Sequence, residues 1–246
     1  MNPAEYENLA RIEADHWYYS GKREIVRFWL SSTDALHPNR TLLDCGAGTG
    51  RFAHEMSAHS RVLVLDDHAE SLVYLRRRFR PEQVLTLAEN RIPLPEASVD
   101  SLTALDVLEH VPGDAAVVAD FYRVLKPNGI AVITVPAGMA LWSDWDVALH
   151  HFRRYDRRGL LKLFAPSEWT IEHVNYTNVL AYPMVWILRR WRKWFPPKEG
   201  RARVEDAIPS RRMNGMLRWV FVALGKSKIP FPFGVSLILV ARKKAR

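Results

Sequence analysis

The run Leu42 to Gly50, LLDCGAGTG, constrains this chain more than any other stretch, because a short, largely apolar strand ends there in three glycines that open a helix. Gly46, Gly48 and Gly50 let the backbone turn tightly, and a ligand can approach with no Cβ in the way. The spacing is G-x-G-x-G, one residue short of the G-x-G-x-x-G that cradles a pyrophosphate. Asp44 stands two residues before the first glycine. A carboxylate at the mouth of the turn repels a diphosphate and suits a ligand carrying a cationic amine, which disfavours a nicotinamide-dependent oxidoreductase.

Strand-like and helix-like segments alternate from there on. RVLVLD, QVLTLA, SLTALDVL and IAVITVP are short apolar runs, separated by helical patterns at RFAHEMSAH, Leu72 to Phe79 and Ala115 to Leu125, with KPNG as a turn. Strands apolar on both faces and separated by helices describe a parallel sheet covered on both sides, so the fold class is α/β, doubly wound. The spacing predicts a helix pair at Ala4 to Asp15 and Lys22 to Ser31, and residues 1–36 are expected to cover the ligand site of a main domain at 37–246. Later come a helix at DRRGLLKLFA, then the strands EWTIEHVNYT and GVSLILVAR, with a basic, Trp-rich insertion at 180–232 between them. A chain of 246 residues, 48% hydrophobic, buries a core without staples, and its one cysteine, Cys45, excludes a disulfide framework. The N-terminal stretch is acidic and has no apolar run, so a cytoplasmic location is expected.

The second strand ends in Asp66 and Asp67, sixteen residues past Gly50, where an acid in a doubly wound sheet accepts from ribose hydroxyls. At this separation the glycine turn and the acid form a joint signal for a nucleoside that lacks a phosphate on that sugar.

Four motifs in order, LLDCGAGTG, LVLDDHAESL, IPLPEASVDSLTALDVLEHV and FYRVLKPNGIAVITVP, resemble the class I S-adenosylmethionine-dependent methyltransferases over about Thr41 to Pro136, in particular the small-molecule group with the quinone-biosynthesis enzymes. The resemblance implies a mostly parallel seven-stranded sheet, S-adenosylmethionine as cofactor and S-adenosylhomocysteine as product. It also implies that Asp44 and the loop Gly46, Ala47, Gly48 to Gly50 flank the methionine portion, that Asp66 holds the ribose and Asp67 lies beside the adenine. Where family members often carry an Asp for the adenine amino group, this chain has Glu89 and Asn90. Asp106 and Val107 are expected beside the transferable methyl, and Tyr19 and Arg23 of the N-terminal helix over the methionine carboxylate or the acceptor. The Asp-x-x-Glu-His arrangement of Asp106, Glu109 and His110 is similar to a cluster linked to a divalent cation in certain ubiquinone-pathway enzymes, but a structural histidine is the expectation here, with no metal.

Methyl transfer from a sulfonium is an in-line displacement, so a base matters only where the acceptor needs deprotonation. His110, His150 and His151 are the imidazole candidates, and Tyr155 is a further catalytic candidate, in a segment resembling an H-x-R-R-Y-T element that passes over the acceptor pocket. Alternatively Arg153, Arg154 and Tyr155 fasten this loop to the sheet.

Charge is uneven. Residues 1–183 carry 19 Lys and Arg against 24 Asp and Glu, and residues 184–246 carry 16 against 3. Such a basic segment points to an anionic partner. Trp186, Trp191 and Trp194, interleaved with Arg189, Arg190, Arg192 and Lys193, read either as a segment lying at a lipid headgroup boundary, through residues 180–212 at the inner face of the membrane, or as a Trp face packed on the domain. Nucleic acid is the weaker partner, because no Asn/Asp-Pro-Pro-aromatic element follows the fourth strand. The leading function is methylation of a small apolar or lipid-like acceptor at oxygen. An RNA methyltransferase and a non-catalytic cofactor-binding domain are the alternatives.

Overall fold

The computed structural model describes residues 3–194 and 208–245, with the side chains of residues 3–5 and 192–194 left aside. Seven strands form one sheet: β1 (Thr41–Cys45), β2 (Arg61–Leu65), β3 (Val84–Leu85), β4 (Val99–Leu105), β5 (Leu125–Pro136), β6 (Trp169–Thr177) and β7 (Ser236–Lys243). Their order is β3-β2-β1-β4-β5-β7-β6, all parallel except β7, which runs antiparallel to both neighbours. The chain winds outward from β1 to β3 and restarts at β4 on the other side of β1, so the strand order reverses between β1 and β4. A crevice opens at the carboxyl ends of the strands at such a point.

Period-two alternation divides the core in two. Leu43, Cys45, Leu102, Ala131, Ile133, Leu237 and Leu239 belong to one buried cluster, while Leu42, Val62, Val64, Ile130, Val132, Ile238 and Val240 belong to the other. Neighbouring residues of one strand thus serve opposite faces of the sheet, as a centrally buried strand requires.

The helices are α1 (Pro3–Ile12), α2 (Trp17–Ser32), α3 (Arg51–Met56), α4 (Ala69–Arg78), α5 (Asp114–Val124), α6 (Asp144–Ala148), α7 (Arg157–Lys162), α8 (Tyr182–Trp194) and α9 (Arg211–Gly225). Helix α2 starts five residues before the expected Lys22. His16 caps it by accepting from Tyr18 N–H, and a histidine cap is no part of the usual Ser/Thr/Asp/Asn signal. Gly21 lies inside α2, where an added Cβ would stand 2.7 Å from Phe221 of α9. Gly225 returns the contact, since a Cβ there would meet Ile25 at 2.3 Å.

Helix α9 is therefore a partner of the N-terminal helices as much as part of an insertion. Trp29 Nε1 donates to Gly225 O at 3.0 Å, and Glu24 pairs with both Arg218 and Lys226 at 2.6 Å. The third expected strand, QVLTLA, shrinks to two residues. The KPNG turn survives as a loop-out within β5, with Asn128 at φ 64 and a register break opposite Val99/Ser101.

Candidate functional site

The glycine turn lies at the reversal point. An added Cβ at Gly46 would stand 2.5 Å from Val107 Cγ2, so β4 closes directly on the loop. Gly48, at φ 57, has nothing within 4 Å of where a Cβ would be, and that open side gives a ligand room against bare backbone. Asp66, nearly buried, accepts from Gly48 N–H at 2.9 Å and from His68 N–H at 3.0 Å, so the second strand end and the loop are one hydrogen-bonded unit.

Asp44 is buried and accepts from Thr103 Oγ1 at 2.6 Å. Burial, with the Asp66 charge adding to it and the Thr103 bond offsetting part, pushes its carboxyl up to about 7. A carboxyl poised there gains a proton-releasing response to any cation placed beside it. The open loop and an acid in want of a cation together fit a nucleoside whose far end is an amino acid.

Asp67 accepts from Leu87 N–H at 2.8 Å, which ties it to the loop carrying Glu89 and Asn90. Those two are exposed in a turn between the bridged Ala88 and Arg91, at φ 51 and 60. The N-terminal helices also reach the loop, for Glu13 accepts from Thr49 Oγ1 at 2.7 Å.

Arg23 differs from the expectation. Its guanidinium donates to Glu13 O at 2.7 Å and to Glu55 at 3.1 Å, and it lines a groove of about 520 Å³ with Arg27, Arg51, Glu55 and Arg218. Tyr19 packs its ring on His16 and Tyr18. The cation from α2 that reaches the end of β4 is instead Lys22, one residue away from the one expected, and it pairs with Asp106. Asp106, at φ 57, also accepts from Thr134 Oγ1 at 2.9 Å. Burial raises its carboxyl, but the Lys22 ammonium and these bonds outweigh it and hold Asp106 below the usual range.

Beyond Asp106 lies a second cluster. Glu109 is fully buried, neither carboxylate oxygen has a hydrogen-bond partner, and burial reinforced by the Asp106 charge raises it well above the ordinary carboxylate range. His110 stacks edge-on against His151 at 4.6 Å, and burial with that neighbour lowers His110 to about 4. Ligand atoms of Glu109, His110 and His151 lie within 4.8 Å of one another, a spacing that could seat a divalent cation.

His151 Nδ1 lies 3.0 Å from Asp146 Oδ1. Asp146 has no exposed surface and also accepts from Ser143 N–H at 2.9 Å, Arg154 Nε at 2.7 Å and Arg189 Nη1 at 3.3 Å. Burial works against its charge, but His151, Arg154 and Arg189 together hold it at about 2. An ionised carboxylate on Nδ1 fixes the tautomer with the proton on that nitrogen and leaves Nε2 as the acceptor.

The rest of this segment fastens the loop, which was the alternative open in the sequence. Phe152 N–H donates to Glu109 O at 2.8 Å, and Arg153 pairs with Asp114 at 2.7 Å. The buried Tyr155 hydroxyl lies 2.8 Å from Asp114 and 3.1 Å from Leu108 O. Tyr155 thus ties this loop to Leu108 and Asp114, and its pKa is raised, first by burial and then by Asp114. His150, at φ 57, is exposed. Asp146, Lys22 and Glu13 were missed in sequence. Asp146 falls in a run, SDWD, that carries a Ser and Asp capping pattern, a signal for a helix start and not for a site.

Residues 43–133 match a family described as methyltransferase domain. A Mycolicibacterium smegmatis protein described as a probable S-adenosylmethionine-dependent methyltransferase is 28% identical over 164 residues, covering 65% of this chain and 62% of that protein. The malonyl-[acyl-carrier protein] O-methyltransferase of Yersinia pestis is 33% identical over 121 residues, covering 46% and 45%. The chain therefore spans less than two thirds of the length of these curated relatives. The geranyl diphosphate C-methyltransferase of Streptomyces coelicolor A3(2) has the same fold, with a TM-score of 0.58 at 15% identity over 89% of this chain and 77% of that one. With the glycine turn, the reversal point and these relatives in agreement, residues 43–133 match a methyltransferase domain, and the chain is similar there to S-adenosylmethionine-dependent methyltransferases.

Proposed function

We propose that this protein transfers the methyl group of S-adenosylmethionine to an oxygen of a small, apolar or lipid-like acceptor. The observation that carries this reading is the continuity of one path. Gly46 abuts Val107, Val107 leads to Glu109 and His110, and Glu109 O receives Phe152 N–H, the residue after His151. The Asp146–His151 pair therefore stands at the end of the strand that closes the cofactor loop.

S-adenosylmethionine supplies an electrophilic methyl on a sulfonium when bound. The chain has to orient the acceptor and exclude water, and for a hydroxyl acceptor it must also take a proton. In this reading Asp44, Asp66 and the Gly46–Gly50 loop hold the donor, Asp67 with Glu89 and Asn90 border its base, and Tyr19 lies on the covering helix. His151 Nε2 accepts the acceptor's proton while Asp146 stabilises the resulting imidazolium. The half-buried Trp142 and Trp145, with the exposed Met139, Val147 and Phe152, give that side of the site an apolar character. The O-methyltransferase activity named for the Yersinia pestis relative supports oxygen as the receiving atom. The working place is the periphery of an anionic membrane. No helix among the described residues is long and apolar enough to cross one.

Two measurements test the chemistry. With labelled S-adenosylmethionine, transfer to a hydroxyl acceptor is expected to fall about 10²–10⁴-fold in His151→Ala, because the acceptor's proton then has no base to take it. Transfer to a carboxylate acceptor should be little changed in that variant, since that oxygen is already ionised. No transfer to either class would remove the enzyme reading and leave a binding domain.

Calorimetry of S-adenosylhomocysteine binding provides the second. Asp44 is raised to about 7 in the folded chain, so it holds a proton between the ordinary aspartate range and that value. A cationic amine beside it favours the carboxylate, so binding is expected to release up to one proton near pH 6 and to tighten as pH rises toward 7. Binding heats that do not depend on the buffer's ionisation enthalpy would count against Asp44 as the group facing the amine.

A further inference from the structure

Helix α8 is built inside out. A helix at a protein surface normally turns its apolar stripe to the core and its charges to water. Here the cation is inside, because Arg189 donates to Leu141 O and to Asp146 with its side chain only 15% exposed. The apolar stripe is outside. Leu180 in the preceding turn, then Met184, Ile187 and Trp191, follow one another at four, three and four residues, and are 68%, 67%, 59% and 62% exposed. Val185 and Leu188 share the inner, half-buried side with Arg189.

The expectation that the Arg189 to Lys193 run faces phosphate is corrected in part. Arg189 serves the Asp146 cluster, and the side chains of Arg192, Lys193 and Trp194, with residues 195–207, lie outside the described residues. Arg190 does face outward, its guanidinium 5.1 Å from the Trp186 ring. Helix α9 repeats the composition, with Met213, Met216 and Trp219 exposed beside the exposed Arg211 and Arg212.

We infer that α8 is a docking helix for an anionic lipid surface, its Leu180–Met184–Ile187–Trp191 stripe seated at the boundary between headgroups and acyl chains. Three observations choose this occupant. The stripe is long, unbroken by charge and rimmed by an indole and a guanidinium, the arrangement of a helix lying in a bilayer interface. The segment from residue 184 onward carries 16 cationic against 3 acidic residues, a charge complementary to an anionic leaflet. And the inner side of the same helix holds Asp146 through Arg189, so the lipid-facing element is bonded to the carboxylate that orients His151. This deepens the proposed function and rests on it in one respect: if His151 is the base, an acceptor drawn from the bilayer arrives beside it, and the substrate class is an amphiphile with its reactive oxygen near the headgroup.

The test uses the full chain with vesicles of phosphatidylcholine and phosphatidylglycerol at 3:2, and with phosphatidylcholine alone. The chain is expected to sediment with the mixed vesicles, more weakly with the neutral ones, and less in high salt. Met184→Glu with Ile187→Glu should reduce binding to the mixed vesicles more than tenfold, while S-adenosylhomocysteine affinity and thermal midpoint stay at the wild-type values. Equal sedimentation of the wild type and the double variant would overturn the inference. So would a wild-type dimer that the double variant converts to monomer, because a second copy would then be the occupant. If the double variant loses vesicle binding while the wild type methylates no acceptor, docking stands and the catalytic reading alone fails.

Discussion

Replacing Asp146 by alanine is expected to remove both activity and several kcal/mol of stability. Asp146 is fully buried between two guanidinium groups, Arg154 and Arg189, whose side chains are 3% and 15% exposed. Without the carboxylate both guanidinium groups lose the buried anion they share, and breaking a buried pair in this way costs about 3–5 kcal/mol. The same substitution frees His151, so the proposed base loses its fixed tautomer, and the rate with a hydroxyl acceptor should fall within the range of about 10²–10⁴-fold that general-base catalysis contributes. His151→Gln separates the two effects. It leaves Asp146 on its arginines, so the thermal midpoint should move little while kcat falls by a similar factor and S-adenosylhomocysteine still binds. Wild-type kcat in His151→Gln would assign Asp146 to structure alone. Acid provides an independent check. The folded-state pKa of Asp146, about 2, lies below its unfolded value, so its contribution is complete above the ordinary aspartate range and is lost as pH falls toward 2. Asp146→Asn should therefore flatten the acid limb of the stability curve.

What could be read in the sequence was local. The LLDCGAGTG turn, Asp66 at the end of a strand sixteen residues on, and the alternation of apolar runs lie within a few residues of the backbone features that explain them. They therefore yielded the sheet and the hydrogen-bonded unit of glycine turn and Asp66 at the point where the strand order reverses. What stayed hidden depends on partners far along the chain. Lys22 meets Asp106 across 84 positions, Arg189 meets Asp146 across 43, and Glu13 meets Thr49 across 36. No periodicity encodes such pairings, and a choice between Arg23 and Lys22 turns on which face of α2 meets the sheet, which Gly21 decides by admitting α9. His151 was legible as an imidazole, but its role needed Asp146, whose own sequence context is that of a helix cap.

Asp66→Ala carries the largest effect expected on the donor side. The Asp66 carboxylate receives two backbone N–H groups, from Gly48 and His68, which hold it at the mouth of the loop with lone pairs to spare. A ribose offers two hydroxyl donors, and hydrogen bonds to a charged acceptor contribute about 1.5–3 kcal/mol each. Losing both should weaken S-adenosylhomocysteine binding by at least about 100-fold. The stability cost should be smaller, about 1–3 kcal/mol, since each stranded N–H can turn to water at the loop. Asp66→Asn keeps the shape and one acceptor oxygen but lacks the charge, so an intermediate loss, about tenfold, is expected from the weaker neutral bonds. Calorimetric titration of the two variants, with the thermal midpoint measured alongside, orders these outcomes. Wild-type affinity in Asp66→Ala would mean that the sugar is held elsewhere, leaving Asp66 as a brace between the loop and α4.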